Sequence, residues 1–196
     1  MNHIIPKPYV NVLSVLFNEA PYVDFDQVKK LIEFDFGKPI EEIFQKFEEK
    51  PIAAASVAQV HKAITHDGKE VAVKVQYPKV RRCFEGDMLT HELIMWSVAK
   101  LFPGWDFRWI GPEMHKALKA EMDFNYEANN AKITAKQLEN NKSVFVPIPF
   151  EHLSTERVLT TEFIHGCKPT DLKKLHEMGL SPKDGKLKKY SNSNFI

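Results

Sequence analysis

Cysteine is scarce in this chain: two among 196 residues, Cys83 and Cys167, in unrelated contexts. A pair so placed argues against a disulfide framework or a thiolate metal site, and for a reduced compartment or simple burial. The eight histidines fit neither H-E-x-x-H nor zinc-finger spacing, and His91-Glu92 has no second histidine four residues after the first. No excess of one charge is present, since 27 Lys and Arg face 26 Asp and Glu for a net +1. That balance gives no electrostatic reason to invoke nucleic acid or an anionic membrane. There is no apolar run of about eighteen residues to span a bilayer. Neither a secretory leader nor an Arg-rich transit peptide opens the sequence, so any targeting signal is expected outside this chain. Internal repeats with periods of about twenty to fifty residues are absent. What remains is an ordinary globular composition, 43% apolar and 27% charged. The length suffices for one good core, or one small core with appended helices.

The stretch that carries chemistry is PIAAASVAQVHKAITHDGKEVAVKVQ, residues 51 to 76. It reads as strand, alanine-rich turn, strand, Asp67-Gly68 hairpin, strand, with Gly68 suited to the positive φ such hairpins need. Ala53, Ala55, Ala58 and Val60 fall on the spacing of the kinase frame G-x-G-x-x-G-x-V, with alanine at each glycine. Val71-Ala72-Val73-Lys74 matches the V-A-I-K strand, whose lysine holds nucleotide phosphates. Strand alternation sends Val71, Val73 and Val75 to one face and Ala72, Lys74 and Gln76 to the other. A small side chain then lies where a flat base would rest, with an ammonium farther on for phosphates. A lysine in a sheet is more often an exposed edge residue. The alanine turn preceding Lys74 in the right frame favours the phosphate reading.

Around that stretch the periodicity predicts helices. Val12, Val15, Leu16 and Phe17 mark one over residues 8 to 20. Asp24 and Gln27 resemble a capping box opening a helix with Val28, Leu31 and Ile32 inward, stopped at Gly37. Asp35-Phe36-Gly37 spells the kinase metal tripeptide but precedes the lysine strand, so it reads as a helix end. Pro39 opens a short helix with Ile40, Ile43, Phe44 and Phe47 inward. Residues 79 to 101 are helical, with Phe84, Met88, Ile94, Val98 and Leu101 as inward candidates, and Pro103-Gly104 breaks the run. Trp105, Phe107, Trp109 and Ile110 read as a packed connection rather than a base-stacking platform. One further helix is expected over about 111 to 139, bearing Glu121, Asp123 and Glu127, with Asp123 and Glu127 sharing a face. Two strands, VFVPIPF and RVLTTEF, follow over residues 144 to 163. A short helix from Pro169 to Met178 precedes a polar tail beyond Asp184 with no recognisable element.

With those residues in place, the chain resembles the UbiB/aarF-domain atypical kinase family, and within it the group of the aarF-domain-containing kinase 5. The resemblance rests on Ala53-Ala54-Ala55-Ser56, on Ala58-Gln59-Val60-His61 and on VAVKVQYP at 71 to 78. EMDFNYEANNA at 121 to 131 and STERVLTTEF at 154 to 163 extend it. It implies an α+β fold, a kinase-like N-lobe of antiparallel sheet and helices. Residues 1–50 would be a partial helical extension, 51–163 the lobe with a helical insert, and 164–196 the start of the C-lobe. It implies Lys74 as the phosphate lysine and Glu127 as the acid paired with it, since a lysine in a partly dry cleft requires a compensating carboxylate. Glu121 and Asp123 would be the family's E-x-D motif in the cleft. Ala53, Ala54, Ala55, Ser56, Ala58, Val60 and Ala72 would line the nucleotide. Thr161 would be the gatekeeper, with Glu162 and Ile164 supplying hinge backbone groups.

The implied ligand is ATP or ADP, accompanied by Mg2+ in full-length family members. A mitochondrial or other organelle-membrane setting and a partner in lipid or quinone metabolism are implied by the resemblance alone. Three family features are missing from these residues. The K-x-G-Q motif is expected upstream, and nothing matches the catalytic loop H-x-D-P-H-P-G-N or the metal site after it. Phosphoryl transfer is mostly positioning and metal electrostatics, so the expectation is a truncated member that binds nucleotide without catalysing transfer. The alternative is a non-enzymatic kinase-like module that docks a protein or a membrane-associated partner. An unrelated α+β domain would require that the five-stranded antiparallel sheet be absent.

Overall fold

The computed structural model describes Tyr9 and residues 22–102, 104–167 and 172–177. Apart from Tyr9, the helix expected over residues 8 to 20 lies outside the described residues, as does the tail beyond Asp184. Helix α1, Phe25–Phe36, begins after Asp24 and ends on Gly37, whose φ of 65° closes the last turn by a bond to the Glu33 carbonyl. Only glycine and a few polar residues take that conformation at low cost. The capping box is not formed, because the Asp24 side chain makes no cap bond and its backbone carbonyl accepts from Gln27 instead, at 3.0 Å. Helix α2 is a single turn, Ile40–Ile43.

A five-stranded antiparallel sheet follows. Strands β3, Ala58–Ile64, and β4, Glu70–Gln76, form the central hairpin. Gly68 sits at its turn with φ 80°. Two short strands, β1 (Lys46–Phe47) and β2 (Ala53–Ala54), share the outer edge of β3 at opposite ends. Strand β5, Val158–Glu162, pairs with β4 on the other side. One face is dry: Val71, Val73, Val75, Ala63 and Val158 pack against Val28, Leu31 and Ile32 of α1 and against Ile40, Ile43 and Phe44. The expected alternation of β4 is therefore observed, with its valines turned to this core.

That core also buries two polar side chains, bonded to each other and to neighbouring backbone. Gln59 and His61 are both 0% exposed. Gln59 exchanges two bonds with the Val23 backbone, at 2.9 and 3.2 Å, and its amide meets His61 Nε2 at 3.0 Å. His61 Nδ1 lies 2.8 Å from the Glu48 carbonyl, which fixes a neutral ring with its proton on Nδ1. Gln59 and His61 thus pin the chain before α1 and the segment after β1 to the sheet, on the side away from Lys74.

Four expectations need correction. Helix α3, Pro78–Leu101, buries only Phe84 and Met88, while Ile94 and Leu101 are exposed. At about 1.5 Å per residue its 24 residues reach well beyond the sheet, so periodicity continues after the core has ended. The aromatic connection is not packed, since Trp105 and Trp109 are 64% and 68% exposed. The single helix over 111–139 is two, α4 (Ile110–Glu121) and α5 (Phe124–Gln137). The chain breaks where the Gln76 side chain donates to the Met122 carbonyl at 3.0 Å and Phe124 N–H donates to the Glu156 carbonyl, also at 3.0 Å. Asp123 caps α5 by accepting from Asn125 N–H. Finally, VFVPIPF is no strand: it touches β5 through an isolated bridge, Pro149 to Thr161. Pro147 and Pro149 remove the donors a ladder needs. The short helix near the C-terminal end of the described residues is α6, Leu172–Glu177.

Candidate functional site

The second face of the sheet is the open one. Register places Val60 opposite Lys74, Lys62 opposite Ala72, and Ala72 opposite Thr161. Its inner end is closed by α5, whose Phe124 and Ala128 pack on Ala58 and Leu159. Lys74 emerges beside that plug. Its ammonium donates to Glu127 Oε2 at 2.6 Å and stands 4.6 Å from the centre of the Phe124 ring. Fully buried Phe124 thus gives the cation a negative ring face from below while Glu127 takes it from the side. Both partners remain partly open to solvent, at 24% and 49% side-chain exposure, so the pair orients the lysine rather than stabilising the fold.

A cavity of about 500 Å³ opens here. It is lined by Ala55, Ser56 and Val57 of the alanine turn, by Lys74 and Glu127, and by Ala117, Ala120 and Glu121 of α4. Tyr126 and Asn130 of α5 complete it. The volume lies within the roughly 300–1,000 Å³ typical of small-molecule sites. A cation oriented by a carboxylate, beside a small-residue loop, suits an anionic ligand with a compact polyanionic end.

The alanine turn fits this use without glycine's freedom. Ala55 N–H donates to the Ala58 carbonyl at 2.7 Å, closing the loop on itself. No described non-glycine residue has positive φ, so alanine is conformationally unstrained throughout the turn.

The site residues expected from the sequence divide three ways. Ala55, Ser56, Lys74, Glu121 and Glu127 line one cavity. Val60, Ala72 and Thr161 form a half-buried patch on the same sheet face, beyond Lys74. Ala53 and Ala54 are exposed on β2, Ala58 is buried under Phe124, and Ile164 is exposed past β5. The Glu162 side chain turns to the Ile148 N–H, at 3.1 Å. Asp123 is not in the Lys74 cavity; it caps α5 and lines a separate cleft with Arg81 and Glu156. Tyr126 and Asn130 were missed, although Asn130 lies one turn beyond Glu127 on a helix and that spacing could have found it. Among the described residues no three His, Cys, Asp or Glu side chains are grouped to hold a metal ion. None of the described helices is long and apolar enough to cross a membrane.

The chain is similar to known proteins over most of its length. A family model for the ABC1 atypical kinase-like domain matches residues 15–188. The chain is 45% identical to the probable serine/threonine-protein kinase abkD of Dictyostelium discoideum over 183 residues, covering 93% of this chain and 26% of that protein. It is 40% identical to AarF domain-containing protein kinase 1 of Xenopus tropicalis over 171 residues, 87% of this chain and 33% of that one. The chain therefore spans about a quarter to a third of the length of these relatives. Among solved structures, the complex of Rv3197 with erythromycin from Mycobacterium tuberculosis aligns with a TM-score of 0.66 and 32% identity, over 85% of this chain and 42% of that one. These likenesses single out no group within the family.

Proposed function

The chain belongs to the ABC1 atypical kinase-like domain family, also called UbiB or AarF, and from that premise we propose that it forms the nucleotide-binding half of such a kinase or ATPase. The ligand is ATP or ADP. The observation that carries this reading is the Lys74–Glu127 pair, 2.6 Å apart, lining one cavity with the alanine turn. The base would lie on the patch of Val60, Ala72 and Thr161, with the backbone at 162–164 along its edge. Phosphates would reach toward Lys74, whose ammonium Glu127 already aims into the cavity. Glu121, a second acid on the cavity wall, suits a role beside a nucleotide-bound magnesium ion.

Binding is as far as these residues go. No H-x-D-P-H-P-G-N stretch occurs among the 196 residues, and the one Asp-Phe-Gly tripeptide is built into the end of α1. Phosphoryl transfer needs an aspartate to take the substrate proton and carboxylates to hold the metal, so this chain by itself turns nothing over. Equilibrium titration with a fluorescent ATP analogue, competed by ATP and ADP, tests both halves of the reading. Saturable, competable binding without phosphate release is expected. No binding to the wild-type chain would overturn the proposal and leave a docking role for the lobe.

A further inference from the structure

The outer end of the open sheet face carries a second constellation that the phosphate end does not use. Lys62 of β3, Glu70 of β4, and Phe163 and His165 just beyond β5 converge there, and Glu70 joins them all. Its carboxylate accepts from Lys62 Nζ at 2.5 Å and from His165 Nε2 at 2.6 Å. Its backbone carbonyl accepts from Phe163 N–H at 3.2 Å. The Lys62 ammonium stands 4.6 Å from the Phe163 ring centre, and the Phe163 and His165 rings meet edge to face at 5.0 Å. The bonds from Lys62 and then from His165 hold the Glu70 carboxyl below the usual carboxylate range.

The topology gives this cluster a consequence. Strand β5 ends at Glu162 and the Phe163 N–H bond to the Glu70 carbonyl is the last of its ladder, so regular pairing stops where the base edge would be read. Residues 163 and 165, on either side of exposed Ile164, are both fastened to one acid on β4. Antiparallel alternation turns the Glu162 peptide groups away from β4, and the Glu162 N–H is accordingly spent on the Ile148 carbonyl at 3.2 Å. The backbone at 162–164 thus hangs between two anchors, the Ile148 segment and Glu70.

We propose that Glu70 is a positioning residue. It clamps the hinge backbone in register, so that the peptide groups of 162–164 meet the 6-amino edge of adenine. The inference rests on the nucleotide reading above and deepens it, assigning base selection to the Lys62–Glu70–His165 cluster and phosphate binding to Lys74.

The test compares ATP with purine riboside triphosphate, which keeps the phosphates and ring nitrogens but lacks the 6-amino group. The wild-type chain, Glu70→Gln and His165→Ala are titrated with each. His165 is largely exposed, so that variant keeps the test open should the first fold poorly. Wild type is expected to prefer ATP. Both variants should lose about tenfold in ATP affinity, the worth of one good hydrogen bond between neutral groups, and lose nothing for the analogue. A merely structural role would weaken both ligands equally. Equal weakening of both nucleotides, or no weakening of ATP, overturns the clamp alone. If wild type binds neither nucleotide, the clamp and the nucleotide reading fall together.

Discussion

Phe124 shows how one side chain couples the fold to the site. It is fully buried beneath Lys74, fills the contact between α5 and the sheet, and offers its ring to the ammonium. Phe124→Ala should destabilise the chain by about 3–5 kcal/mol, as for other large aromatic truncations. It should also weaken nucleotide binding beyond what lost stability explains. Urea unfolding measures the first effect, and titration well below the unfolding midpoint the second. The Lys74–Glu127 pair was legible in the sequence because a lysine inside a valine strand demands an acid, and the family pattern said which one. The inward turn of Gln59 and His61 was not legible, since alternation places residues on two faces without saying which face is dry.

His61 makes a separate prediction at this scale. Burial pushes its pKa below the ordinary 6.5, against a smaller opposing contribution from its bond to Glu48. The folded state holds the ring neutral, while the unfolded chain takes up a proton. Stability is therefore full above about pH 6.5 and falls as pH drops below that value. Urea midpoints should decline from about pH 7 to pH 5.5, and a flat profile there would contradict the assignment. Losses from Asp67, held at about 2 by its bonds to Lys69 and Thr65, belong to a much more acid window.

Among the elements, the end of α1 illustrates why a motif cannot be read without its place in the chain. Asp35 of Asp-Phe-Gly is an anchor, taking Thr155 Oγ1 at 2.7 Å and the Arg157 guanidinium, and its side chain is 8% exposed. It ties α1 to the start of β5. Arg157→Ala strands that carboxylate and should cost about 3 kcal/mol, toward the lower end for a broken buried pair because the arginine is partly solvated. Chemical denaturation checks it, and a loss under about 0.5 kcal/mol would show that the pair is a surface contact. Helix starts and stops here followed local signals such as Gly37. The break at Met122-Asp123 did not, because what sets it is Gln76 on a strand 46 residues earlier. Likewise the two prolines of VFVPIPF outweighed its β-forming residues.

For the molecule as a whole, the sheet, its hairpin and the α+β class were legible because they rest on short-range pattern. The far end of the contacting helices α3 and α4 was not, because burial there depends on what these helices meet. All three tryptophans of the chain, Trp96, Trp105 and Trp109, are more than half exposed around it, near exposed Leu101 and Phe102. Exposed apolar side chains concentrated in one stretch of chain promote association. The 196-residue chain should therefore self-associate with rising concentration, and Trp105→Asp with Trp109→Asp should suppress this without lowering the melting temperature. Light scattering across a dilution series reads the outcome, and a monomer at all concentrations would contradict it.

The central claim is that the Lys74–Glu127 cavity holds a nucleotide, and thermal unfolding with and without ATP tests it most directly. A ligand at a hundred times its dissociation constant stabilises the native state by about 2.7 kcal/mol, several degrees for a domain of this size. The account predicts a rise in melting temperature with ATP for the wild-type chain and none for Lys74→Ala. An equal rise in both proteins, or in neither, would contradict it.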